Sequence, residues 1–234
     1  MNNFTLMILC AGFGSRMQNL TRNIPKPLLK INNKTLIKNT INFFEKIGCN
    51  RFIINTHYLY KQFNDYIDLN FLEKKIISIY EPEILDTGGG IKNAIKFFDN
   101  KNFLVTNCDI FWNDNNLIDV KRFIRNLEET QTCDLLLSSK KNTIGINKEQ
   151  GDFSLKDRYL TRWKESDEII FYSGLQKLNP LIFNNFKESK FSMNKVWDYL
   201  IDKQKLSGVI MDSKLFHIGD INTYINISDD YLLD

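Results

Sequence analysis

The segment Ile8–Met17, ILCAGFGSRM, carries an apolar run into two glycines one residue apart, then a serine and an arginine. Gly12 and Gly14 let the backbone turn tightly and bring its N–H groups close to an anion, to which Arg16 adds a planar fork of donors. The loop has neither the Gly-Lys-Ser/Thr of a Walker A loop nor the third glycine of the dinucleotide fingerprint. Taken alone it reads equally as a phosphate cradle or as a strand-to-loop turn. At IPKPLLKI, residues 24–31, Pro25 and Pro27 fix the backbone on both sides of Lys26, which makes that ammonium a positioned charge. A glycine turn, an arginine and a clamped lysine so close in sequence fit a polyphosphate.

Asp109 closes the run NFLVTNCD, residues 102–109. A carboxylate at the carboxyl end of a buried strand suits Mg²⁺ beside phosphates, and an Asx-turn or cap residue is the plain alternative. The run TGGG, Thr87–Gly90, costs chain order unless backbone must approach something closely. A flat base beside Gly88 and Gly89 would account for it, with Glu81 and Pro82 lining the base pocket; a turn leading into a helix is the other reading. The only histidines are His57 and His217, which leaves little for a Ser-His-Asp triad or a histidine-rich metal site. Cys10, Cys49, Cys108 and Cys133 form no C-x-x-C pair, so reduced, buried thiols are expected.

The elements that must hold these residues follow an alternation of short apolar runs and helical periods, the mark of β-α-β units. Strands are expected at Thr5–Cys10, Arg51–Asn55, Lys75–Tyr80, residues 102–109 and Asp134–Ser138. Helices are expected after each of the first four, the third opening after TGGG and the fourth covering Leu117–Glu129. Beyond this, GDFSL and IIFYSGL read as shorter mixed strands, followed by a helix Met193–Lys203, strands Leu206–Met211 and Leu215–Ile218, and a last helix. The expected fold class is α/β, a Rossmann-like, mainly parallel sheet flanked by helices with mixed strands in the C-terminal half. One domain is expected over 1–234, with the pattern changing near residue 138. Net charge is +3, with Lys and Arg dispersed among Asp and Glu, so nucleic acid is not an expected partner. No apolar run reaches the roughly 18 residues of a membrane span, and a cytoplasmic protein without a membrane partner is expected.

AGFGSRM followed by PKPLL resembles the N-terminal signature of the sugar-nucleotide pyrophosphorylases, which join a nucleoside triphosphate to a sugar 1-phosphate. YEPEILDTGGGI, FLVTNCDIFW and IIFYSGLQKLNPLIF resemble the family's nucleotide-binding turn, metal-bearing strand end and sugar-pocket strand, in the family's order. The resemblance implies the nucleotide-diphospho-sugar transferase fold and Mg²⁺, or Mn²⁺, as cofactor. It also implies a nucleoside triphosphate and a sugar 1-phosphate as partners, in a monomer or small homo-oligomer, with a nucleotide-binding half to about 138 and a sugar-binding half from about 139.

Carried over residue by residue, Ala11, Gly12, Gly14, Ser15, Arg16, Lys26, Glu81, Pro82, Thr87, Gly88 and Gly89 would bind nucleotide. Arg16, Lys26 and Asp109 would serve catalysis, and Asn107, Gly151, Lys164 and Gly174 the sugar. Cys108 stands where a glycine is usual. At LFHIGD, residues 215–220, many relatives resemble Trp-x-Asp-x-Gly-Thr, so His217 replaces a second metal-binding aspartate, and Asp109 with His217 would form the metal site. LDTGGGI and the short chain resemble the small type that uridylylates N-acetylmuramate 1-phosphate. Mannose- or heptose-1-phosphate guanylyltransferases are the near alternative, and a catalytically silent sugar-nucleotide-binding protein is a third, with His217 as its support.

Overall fold

The computed structural model describes residues 3–230. Nine strands among them share one sheet: β1 (Phe4–Leu9), β2 (Cys49–Thr56), β3 (Ile76–Tyr80), β4 (Phe103–Asn107), β5 (Cys133–Ser139), β6 (Phe153–Lys156), β7 (Tyr159–Arg162), β8 (Ile170–Leu178) and β9 (Leu206–Ile210). Their order is β3-β2-β1-β4-β8-β5-β9-β7-β6. The first four run parallel. β8 enters antiparallel between β4 and β5, β9 lies parallel to β5, and β7 and β6 complete a mixed end.

Alternation along each strand divides the apolar residues between two cores. Leu6, Ile8, Phe52, Ile54 and Leu104 pack on one face with helices α1 (Leu36–Glu45), α2 (Tyr60–Asn70) and α4 (Leu117–Ile124). Met7, Ile53, Phe103 and Val105 pack on the other with α3 (Asp86–Ala94) and α5 (Met193–Asp202). α6 (Ile221–Asp230) places Ile227 in a smaller cluster with Met17, Leu29 and Ile218, behind the glycine loop. The four cysteines are buried and free, as their spacing predicts.

Two expectations are corrected. α4 stops at Ile124 because Asn126 leaves helical geometry (φ −111°, ψ 39°), and only a single 3₁₀ turn covers Leu127–Glu129. α3 starts at Asp86, so TGGG lies inside its first turns and does not precede it. The glycines there serve packing. A Cβ on Gly88 would stand 2.5 Å from the Phe191 ring, and one on Gly89 would run into the Ser189 carbonyl. The backbone comes this close because Gly89 N–H donates to Phe191 O at 2.9 Å and Phe191 N–H to Leu85 O at 3.1 Å, which straps α3 to the segment leading into α5.

Candidate active site

The loop after β1 turns at Gly14, whose φ of +67° lies in the region L side chains avoid. A Cβ there would also crowd Lys26 Cβ at 3.0 Å, so the glycine brings two distant segments together. Gly12 differs: a Cβ built on it meets nothing within 4 Å, because it faces open space. That space is a cavity of about 340 Å³ at the carboxyl ends of β1 and β4. Open parallel sheets place their ligands at such ends.

Lys26 opens a 3₁₀ turn between its prolines and is 7% exposed. Its Nζ donates to Asp109 Oδ2 at 2.8 Å. Asp109 follows β4 and is held there by Ile218 N–H, which donates to its carbonyl at 2.7 Å. The neighbouring Ile110 pairs with His217 in an isolated antiparallel bridge. His217 Nδ1 lies 3.3 Å from Gly145 O, and since a carbonyl only accepts, Nδ1 is the donor; Nε2 turns to Asp109 Oδ2 at 3.5 Å. Burial works to raise the Asp109 pKa, but the Lys26 ammonium, joined by His217, outweighs it and holds the carboxyl well below the usual carboxylate range.

Asp109 Oδ1 is buried and without a hydrogen-bond partner. An ionised oxygen left bare beside a cavity fits a divalent cation. No group of three or more His, Cys, Asp or Glu that could hold a metal occurs among the described residues. A cation here would therefore take further ligands from phosphate and water, as Mg²⁺ commonly does.

Ala11, Gly12, Gly14, Ser15, Arg16, Lys26, Glu81, Thr87, Asn107 and Asp109 all line the cavity. Pro82, Gly88 and Gly89 do not: Pro82 is exposed, and the glycines face the strap described above. Gly151 packs against Trp163. A Cβ on Gly174 would stand 2.6 Å from Ile110 and 3.5 Å from Asn107 Cβ, so Gly174 supports the site from behind. Lys164 is exposed and lines no described cavity.

Asn55 was not singled out by sequence. At the end of β2, its Oδ1 accepts from Cys10 N–H at 3.0 Å and its Nδ2 donates to Glu81 Oε1 at 2.8 Å. Glu81 is thereby fixed, 1% exposed, with Oε2 accepting from Leu85 N–H at 3.2 Å. The only sequence signal was a polar side chain ending an apolar strand.

A family model described as nucleotidyl transferase matches residues 5–152, the part that supplies most of this cavity. The chain belongs to the nucleotidyl transferase family. It is an enzyme of that class. The chain is similar to the N-acetylmuramate alpha-1-phosphate uridylyltransferase of Caulobacter vibrioides, 27% identical over 92% of this chain and 91% of the relative. It is also similar to the D-glycero-alpha-D-manno-heptose 1-phosphate guanylyltransferase of Campylobacter jejuni, 28% identical over 91% of this chain and 93% of the relative. The crystal structure of HddC from Yersinia pseudotuberculosis complexed with GMP-PN shares the fold of this nucleotidyltransferase, with a TM-score of 0.76 at 24% identity over 97% of this chain and 99% of that one. No helix among the described residues is long and apolar enough to cross a membrane.

Proposed function

We propose that this nucleotidyltransferase joins a nucleoside triphosphate to a sugar 1-phosphate, releasing pyrophosphate, and that the pair is UTP and N-acetylmuramate 1-phosphate. The observation that carries the reading is the buried Lys26–Asp109 pair, with one carboxylate oxygen left bare, under a glycine loop that also presents Arg16. The Caulobacter relative supports the choice of substrates. A second reading, GTP with a heptose 1-phosphate, has the support of the Campylobacter relative.

A phosphate monoester carries close to two negative charges near neutral pH, so the sugar phosphate oxygen is already ionised and no general base is required. That oxygen bonds to the α-phosphorus as the bond from phosphorus to the bridging oxygen breaks, and pyrophosphate leaves with the electron pair. The protein's task is to place and neutralise charge. N–H groups of the Gly12–Ser15 loop and the Arg16 guanidinium hold the departing phosphates, and Lys26 stands where charge gathers between nucleotide and acceptor. A divalent cation, Mg²⁺ or Mn²⁺, held by Asp109 with His217 beside it, would supply further neutralisation of phosphate oxygens. The N-terminal half thus serves the nucleotide and the C-terminal half the sugar.

The test is a panel of UTP, GTP, CTP, dTTP and ATP against several sugar 1-phosphates, scored by pyrophosphate. Release is expected only with nucleotide, acceptor and divalent cation together, and Lys26→Ala should lower kcat about 10²-fold. Full-rate release from the nucleotide alone would overturn the transferase reading.

A further inference from the structure

A second cavity of about 200 Å³ adjoins the first and shares Leu9, Asp86, Thr87 and Asn107 with it. Its far wall comes from β8 and from the start of α5. Most of its polar groups are already committed. Thr87 Oγ1 accepts from Met193 N–H at 2.9 Å, and Asn194 Oδ1 accepts from Arg162 at 2.9 Å. Trp197 Nε1 donates to Gln176 Oε1 at 3.2 Å, so only the NH₂ of the buried Gln176 amide is left to offer.

Tyr172 is uncommitted at its hydroxyl. Its ring meets Trp197 edge-on at 5.0 Å, yet its hydroxyl is buried with no hydrogen-bond partner. Among the described residues, five buried side-chain polar atoms lack a partner, and two of them, Asp109 Oδ1 and Tyr172 Oη, belong to residues that line the joined cavity. An unsatisfied buried hydroxyl is costly, and a bound ligand that accepts from it removes the cost. Backbone geometry puts it there. The register of β8 against β5 shifts between Tyr172 and Gln176, around Gly174 at φ +87°, and such irregularities re-aim side chains beside active sites.

We propose that Tyr172 is a specificity-determining residue of the acceptor subsite, its hydroxyl donating, beside the Gln176 NH₂, to an oxygen of the sugar. This rests on the transferase reading above. Burial pushes the phenol pKa up, so the hydroxyl keeps its proton at neutral pH. The oxygen is either a ring hydroxyl or the acyl oxygen of an acetamido group, both acceptors of the same kind.

The experiment compares the parent protein with Tyr172→Phe, using glucose 1-phosphate and N-acetylglucosamine 1-phosphate as probes beside the best acceptor of the panel. Tyr172→Phe should raise the acceptor KM about tenfold and leave the nucleotide KM within about twofold. Loss with both probes points to a ring hydroxyl, and loss confined to the acetamido sugar points to the acyl oxygen. Without ligands, Tyr172→Phe should unfold at the parent's midpoint or above it, since the hydroxyl has no partner to lose. An unchanged acceptor KM beside an active parent would overturn the assignment alone, as would a lowered midpoint with that KM unchanged. No pyrophosphate from the parent with any pair would overturn the transferase reading and this assignment with it.

Discussion

Gly12 and Gly14 stand one residue apart and do different work, and substitution separates them. Gly14→Ala forces a side chain into φ +67° and against Lys26, which should cost about 1–2 kcal/mol and shift the lysine. Gly12→Ala adds a methyl that meets only the cavity, so its urea unfolding should match the parent while the nucleotide KM rises about tenfold. Equal nucleotide KM values for Gly12→Ala and the parent would mean that the phosphates do not pass over this loop. At this scale the sequence was informative wherever local geometry decides the outcome: prolines on both sides of Lys26 position it whatever the rest of the chain does. Asn55 and Tyr172 were illegible because their roles depend on long-range placement. Asn55 matters through the pairing of β2 with β1, and Tyr172 through an irregularity in β8 that no residue pattern announces.

Among the elements, α4 is fastened to the turn after β9 by one carboxylate. Asp119, 4% exposed, accepts from Asp212 N–H at 3.1 Å, Ser213 N–H at 2.9 Å, the Ser213 hydroxyl at 2.6 Å and Arg122 at 2.6 Å. Burial works to raise its pKa, but the Ser213 hydroxyl and N–H, the Asp212 N–H and Arg122 prevail and lower it. A carboxyl whose folded pKa lies below its unfolded value of about 3.9 stabilises fully above that value, and the contribution is lost as pH falls through the folded pKa. Asp119→Asn should therefore cost about 2–3 kcal/mol at pH 7, and its deficit against the parent should shrink below about pH 4. Urea midpoints at pH 7, 5 and 3 measure this; a deficit that grows on acidification would contradict the clasp. The start of α3 shows the limit of reading elements from sequence. Three glycines look like a turn by propensity, but packing of Gly88 against Phe191, of Gly89 against Ser189 and of Gly90 against Glu81 and Asn55 requires their bareness inside a helix.

At the scale of the whole molecule, the alternation of strand and helix was legible because each β-α unit writes its own period into the sequence. The strand order was not, since β8 reaches its place between β4 and β5 only through long-range antiparallel pairing. That insertion has a mechanical consequence. A strand from the proposed sugar-binding half lies in the middle of the sheet, with β4 on one side and β5 on the other, both from the proposed nucleotide-binding half. Neither half can lose its strands without exposing the hydrogen-bonding edges and both apolar faces of the other. Heat or urea should therefore unfold the chain in one transition, with near- and far-ultraviolet circular dichroism coincident. The cavity lies across that same structure, lined from the β1 loop, the Lys26 turn, β2, β4 and Gly219. A nucleoside triphosphate with Mg²⁺ at about a hundred times its Kd should consequently raise the stability of the whole transition by about 2.7 kcal/mol. Two separable transitions, with only the earlier or only the later one moved by nucleotide, would show that the halves fold independently and that the shared sheet does not bind them into one unit.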